Sequence, residues 1–237
     1  MIEIHNLHKS FDGNEILKGI DIHVEKGSIY GLIGTNGSGK TTIIKHLTGI
    51  YEADSGEIRI NGEDVFDNDK VKEHVGFVPD DLYFFNTYTI DNMAAFWKRL
   101  YQSWDDDRYQ KMTASFELPK NRKISKFSKG MQKQAAFALV MSTCPDILIL
   151  DEPVDGLDPI MRKKVWKYIL DDVAERQMTV LISSHNLREL EGLIDTVGIM
   201  DHGKIILERG NLDELESEGG LGSLEELFFK EVGGDEA

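Results

Sequence analysis

Residues 34–41, GTNGSGKT, carry the most specific chemistry in this 237-residue chain. They keep the spacing G-x-x-x-x-G-K-[ST], behind the apolar stretch SIYGLIG and ahead of TTIIKHLTGI. Gly34, Gly37 and Gly39, linked through Thr35, Asn36 and Ser38, allow successive backbone N–H groups to curl around a phosphate. The helix that follows, entered through Thr42, adds the favourable end of its dipole. Lys40 is placed to reach the β- and γ-phosphates of a nucleotide, and the Thr41 hydroxyl to ligate Mg²⁺. A second element, ILILDE at 147–152, sends four apolar residues through a core and brings out two carboxylates at the end of a strand, where α/β sheets hold ligands. There Asp151 suits Mg²⁺, usually through water, and Glu152 suits the general base that polarises an attacking water. His185 ends a third apolar strand, TVLISSH. A lone histidine at a strand end is most often structural, but in a phosphate-binding sheet its imidazole would face the γ-phosphate and the lytic water.

The elements that must position these groups alternate between strand and helix. IEIHNL and IDIHVEKG show period-two alternation and predict antiparallel strands, and EIRINGEDV predicts a hairpin turning at Asn61-Gly62. In TTIIKHLTGI, Ile43, Ile44, Leu47 and Ile50 fall on one helical face, with Gly49 marking the helix end. Residues 81–126 change to helical patterns, and 83–104 hold eight of the chain's 21 aromatic residues. Afterwards come a helix through QAAFALVMS, the strand ILILDE, a helix in DPIMRKKVWKYILDDVAER, the strand TVLISSH, a helix in NLRELEGL and a hairpin turning at His202-Gly203. This rhythm predicts an α/β fold with a mostly parallel sheet and helices on it. FSKGM, at 127–131, is ambiguous alone: it suits an ordinary helix start or a worn phosphate-sensing motif.

Composition narrows the function classes. A net charge of −15 argues against nucleic acid and anionic lipid as direct partners, since gripping either needs a basic face. Residues 201–237 hold 11 acidic against 3 basic residues and predict a solvated acidic extension. No apolar stretch approaches membrane-spanning length, and the first ten residues lack the pattern of a signal peptide. A single cysteine, Cys144, excludes an internal disulfide and suits a reducing cytoplasm.

Taken together, the motifs resemble the nucleotide-binding subunits of ABC transporters, over nearly the whole chain. GTNGSGKTT matches the family's Walker A, ILILDEP its Walker B, GLDP (156–159) its D-loop with Asp158, and SSH its switch histidine, His185. Phe11 in KSFDG matches the aromatic that stacks on adenine, VGFVPD the Q-loop, and FSKGM the signature. The resemblance implies a P-loop NTPase core with an N-terminal antiparallel β subdomain and an inserted α-helical subdomain. Residues 1–80 and 145–210 would form the core, 81–144 the helical part with the signature, and 211–237 the acidic extension of one domain. Two copies, or this chain and a paralogous ATPase, would sandwich ATP and Mg²⁺, with Ser128 and Gly130 touching the nucleotide held by the other copy. A separately encoded multi-span permease would hold the dimer on the cytoplasmic face of the membrane. The 83–104 aromatics would then form either its interface or the subdomain's own core. A soluble regulatory ABC ATPase is the alternative; a GTPase lacks its Asn-Lys-x-Asp motif.

Two positions depart from the family pattern. Asp80 stands where the Q-loop glutamine is usual, and a carboxylate there is a good Mg²⁺ ligand. It implies tighter coupling to Mg²⁺ and slower turnover if it faces the site, and nothing if it points to solvent. In the signature, Lys129 and Met131 replace Gly and Gln while Ser128 and Gly130 remain. Lys129 adds a positive charge near the site or is simply solvated.

Overall fold

In the computed structural model, which describes residues 1–210 and 224–232, the two alternating N-terminal segments pair as antiparallel strands β1 (Ile2–Phe11) and β2 (Asn14–Val24). Strand β3 (Ile29–Gly34) leads through the glycine loop into helix α1 (Lys40–Leu47). Strands β4 (Ser55–Ile60) and β5 (Glu63–Asp64) turn at Asn61 and Gly62, both at positive φ as a two-residue hairpin requires, and β4 completes a sheet of order β2-β1-β4-β5. Beyond helix α2 (Asp69–Glu73) and strand β6 (Val75–Val78) come helices α3 (Ile90–Leu100), α4 (Asp106–Ser115) and α5 (Lys129–Ser142). The chain then alternates: β7 (Ile147–Asp151), α6 (Pro159–Arg176), β8 (Thr179–Ser184), β9 (Thr196–Asp201) and β10 (Lys204–Gly210). Among the described residues the second sheet has the order β10-β9-β3-β8-β7-β6, parallel throughout except for the β9–β10 hairpin.

The apolar runs are continuous because this sheet is covered on both faces. Leu148 and Leu150 of β7 enter one hydrophobic core, with α5, α6 and the helical layer; Ile147 and Ile149 enter the other, with α1 and the antiparallel sheet. Strand β3 divides likewise, Ile29 and Ile33 against Tyr30 and Leu32. Each such side chain contributes roughly 1.5–3 kcal/mol by leaving water. The sheet is thereby fixed from two sides, and the loops at the C-terminal ends of β3, β7 and β8 inherit that rigidity.

A buried carboxylate ties the helical layer together. Asp172 on α6 accepts from Arg108 of α4 and, at 3.0 Å, from Arg176 one turn further along. Its side chain is only 7% exposed, so Asp172→Ala strips both guanidinium groups of their carboxylate and leaves Arg176 only the Cys144 and Pro145 carbonyls. The expected loss is about 3–5 kcal/mol, to be read from urea unfolding curves.

Three expectations need correction. Ile43, Ile44 and Leu47 are buried, but α1 stops at Leu47 and Gly49 turns the chain at φ +66, leaving Ile50 55% exposed. NLRELEGL forms only a single 3₁₀ turn, Leu187–Glu189: Leu187, Leu190 and Ile194 do enter the core at helical spacing, but Gly192 at φ +71 breaks the helix. Part of the acidic extension is not simply solvated. Leu224–Val232 is a helix whose Leu224 is buried, with Glu225 bonded to Arg188; the rest of 211–237 lies outside the described residues.

Candidate nucleotide site

The glycine loop closes a cavity of about 810 Å³ at the C-terminal ends of the parallel strands, a volume suited to a small-molecule ligand. Gly34 is the buried last residue of β3; Thr35, Asn36 and Gly37 form an exposed turn closed by Ser38 N–H donating to the Thr35 carbonyl at 3.2 Å. Gly39 has φ +115, a conformation that favours glycine, while a Cβ there would meet chiefly the movable tips of Met200 and Leu17. Lys40, first residue of α1, is 7% exposed and folds back over the loop, donating to the carbonyls of Gly34 at 2.7 Å and Thr35 at 3.1 Å. Burial lowers its pKa; nearby Glu152 and Asp151 oppose that shift. The buried Ser38 hydroxyl has no hydrogen-bond partner, and Thr42 lines the cavity beside Lys40 and Thr41.

Strand β7 delivers the carboxylates as its sequence implies. Asp151 accepts from the Ser183 hydroxyl on one oxygen and from the Thr41 hydroxyl, at 3.2 Å, on the other. The donor set fits Mg²⁺: Thr41 and Asp151 offer hard oxygens, and adjacent ligands of an octahedral ion with bonds of about 2.1 Å lie roughly 3 Å apart. Glu152 has φ +47, a strained left-handed position for a residue with a side chain. Its N–H donates to the Ser183 carbonyl at 3.1 Å, and its carboxylate meets His185 Nδ1 at 2.8 Å and the Ser184 hydroxyl at 3.3 Å. Burial raises the Glu152 pKa against the opposing effect of His185; the hydrogen bond to Glu152 raises that of the more exposed His185.

Phe11, at the end of β1 and 37% exposed, lines the same cavity, its ring tilted at 60° against Tyr51 with centroids 5.1 Å apart. Asp80 lines it too, with its side chain 55% exposed but paired: Lys133 of α5 donates to it at 3.0 Å. Ser128, Gly130 and Asp158 do not join this cavity. Ser128 is exposed and caps α5, accepting from Met131 N–H at 3.3 Å. Gly130 is glycine for an internal reason, since a Cβ would lie 2.9 Å from the Gly156 carbonyl oxygen. Asp158 caps α6, accepting from Ile160 and Met161 N–H groups. Lys129 is exposed.

Residues 17–155, more than half of the chain, match the family model described as ABC transporter. The chain belongs to the ABC transporter family. It is similar to the ABC transporter ATP-binding protein YtrB of Bacillus subtilis (strain 168), 35% identical over 92% of this chain and 74% of that protein. The lantibiotic transport ATP-binding protein SrtF of Streptococcus pyogenes is 34% identical over 98% and 97% of the two chains. A solved ATP-binding subunit of an ABC transporter superposes with a TM-score of 0.86 at 26% identity, over 96% of this chain and 98% of that one.

Within this ABC transporter chain the family match spans the glycine loop, FSKGM and ILILDE, whereas Asp158 and His185 lie beyond it. Reasoning from motifs missed three side chains that the fold brings in. Ser183 and Ser184 were visible only as the letters before His185, yet they hold Asp151 and Glu152. Lys133, a charge inside an apolar helix, offered the one usable signal: a lysine 8% exposed in such a run needs an anionic or carbonyl partner. No helix among the described residues is long and apolar enough to cross a membrane.

Proposed function

We propose that this chain binds and hydrolyses ATP as the motor subunit of a transporter. The observation that carries the reading is the convergence of Lys40, Thr41, Asp151 and Glu152 on one cavity, with His185 bonded to Glu152. The triphosphate lies over the loop amides, and Lys40 exchanges the Gly34 and Thr35 carbonyls for phosphate oxygens. Thr41 and Asp151, with Asp80 close by, hold Mg²⁺, which when bound neutralises phosphate charge. Phe11 stacks on the base. Glu152 takes the proton of the attacking water, and His185 orients that carboxylate and donates toward the γ-phosphate. Exposed Ser128, with the Gly130 backbone and Asp158, completes the site of a second copy or a paralogue. ATP closes the dimer and hydrolysis reopens it.

The mechanical output leaves through the helical layer. Between α1, β6 and α3 runs an apolar groove of about 340 Å³ lined by Leu47, Ile50, Phe77, Trp97 and Tyr101. Of the neighbouring aromatics, Phe84, Tyr88 and Trp104 pack on the core, while Tyr83, Phe85 and Phe96 are exposed. We assign the groove and these exposed rings to a permease subunit that holds the chain at the cytoplasmic face of the membrane; the relatives named as transport ATP-binding proteins support that assignment. The test has two parts. The purified chain should hydrolyse ATP only with Mg²⁺ present, and the tagged chain should co-purify a multi-span membrane protein from detergent-solubilised cells. Absence of Mg²⁺-dependent turnover, with or without that partner, overturns the motor reading; turnover without any membrane partner overturns the transport reading.

A further inference from the structure

We propose that Lys133 is a positioning residue for this site, holding the Asp80 carboxylate and the peptide of Glu152 in place from helix α5. This rests on the ATPase reading above. Lys133 lies one turn beyond the Ser128 cap, on the helix opened by FSKGM, and its side chain is 10% exposed. Its ammonium donates to Asp80 Oδ1 at 3.0 Å and to the Glu152 carbonyl at 2.7 Å. Asp80 follows the end of β6 and Glu152 the end of β7, neighbouring parallel strands. One buried cation therefore joins two strand ends to the helix that carries the signature segment.

Two consequences are separable. First, Asp80, Asp81, Asp151 and Glu152 all line the cavity proposed for a triphosphate, and repulsion between like charges there is expensive. Lys133 neutralises the member of that group that replaces the family's glutamine, so an aspartate is tolerated beside bound ATP. Second, the Glu152 peptide is strained at φ +47 and is held at both ends, its N–H by Ser183 and its carbonyl by Lys133. Removing the second hold lets the carboxylate drift from the line of attack, and misplacement by about 1 Å costs on the order of a hundredfold in rate. A shift of α5 would move both anchors together, which makes Lys133 the contact through which the signature helix is felt at Glu152.

The test is a double-mutant cycle on Asp80→Asn and Lys133→Gln, with thermal midpoints confirming that each variant folds. Binding of a fluorescent ATP analogue is measured in EDTA, so that charge compensation is read without Mg²⁺ or turnover. Lys133→Gln should weaken that binding by about tenfold, and Asp80→Asn/Lys133→Gln should restore it. In steady-state kinetics both variants lacking Lys133 should keep a kcat lowered by roughly ten- to a hundredfold, because neutralising Asp80 does not restore the hold on the Glu152 carbonyl. Additive effects on binding, or a wild-type kcat in a folded Lys133→Gln protein, would overturn the proposal. If Lys133→Gln does not fold, the double variant still decides the kinetic half and Asp80→Asn the charge half, since it should bind at least as tightly as wild type. If the wild-type chain binds ATP but does not turn it over, the motor reading fails while the binding cycle still tests the pair.

Discussion

Glu152→Gln lowers ATP turnover by about a hundred- to ten-thousandfold, the range a positioned general base supplies, while ATP binding survives. The substitution keeps the shape of the side chain and an oxygen facing His185 Nδ1, and it leaves Lys40, Thr41 and Asp151 untouched. What disappears is the ability to take a proton from water. Closure by ATP without reopening should then accumulate a dimer, visible as an ATP-dependent doubling of mass in light scattering. Folding does not confuse the result. Burial raises the folded-state pKa of Glu152, so folding disfavours its charged form. A raised acid costs stability once the pH passes from its unfolded pKa through its folded one, and that cost is fully present above the folded value. Glutamine removes it, so the thermal midpoint should not fall. The same shift moves the acid limb of wild-type turnover upward from where an unperturbed glutamate would set it. Wild-type turnover in Glu152→Gln would remove Glu152 from its role.

The features legible in the sequence share a physical property: their chemistry and their geometry come from the same short stretch. GTNGSGKT specifies its own conformation, because its glycines permit the turn that its lysine needs. ILILDE does likewise, since four buried residues determine where the next two carboxylates emerge. Even Ser128 was readable as a helix cap, though the letters could not say which molecule it faces. What stayed illegible depends on partners far along the chain. Lys133 meets Asp80 and Glu152 across 53 and 19 positions; its charge in an apolar helix implies some partner, but nothing near QKQAAF says which. Gly130 looks like a residue kept for a ligand, yet the backbone at Gly156 already demands it.

The misreadings have equally local causes. In NLRELEGL and the following Ile194 the apolar spacing is helical because Leu187, Leu190 and Ile194 must reach the core, and a non-helical chain can satisfy the same demand when Gly192 supplies a turn. The aromatic stretch defeated a single assignment because it serves both surfaces. Phe84 and Trp97 pack inward while Tyr83 and Phe96, one residue before each, stay exposed. Adjacent positions on one segment point apart, so composition alone could not divide them.

Lys40→Met should abolish the stabilisation of the chain by MgATP without destabilising the free protein. In the free chain the ammonium is buried against two loop carbonyls, and burial lowers its pKa. For a lysine depressed in this way, the charged form is disfavoured in the folded state; the penalty is complete below the folded pKa and fades as the pH rises through it toward the unfolded value. Methionine of similar length removes that penalty and loses two hydrogen bonds, opposing effects of comparable size, so the unfolding midpoint should stay within about 4 °C of wild type. Bound nucleotide reverses the balance, because only a cation repays its burial against phosphate. MgATP at a hundredfold excess over its dissociation constant stabilises wild type by about 2.7 kcal/mol, a rise of roughly 5–10 °C for a chain of this size. If loss of the lysine weakens binding by roughly a hundredfold, the same MgATP concentration raises the variant by less than about 2 °C. Differential scanning fluorimetry with and without MgATP reads both numbers in one experiment. An equal rise in both proteins would mean that the phosphates do not lie where Lys40 waits, and the cavity would need another ligand.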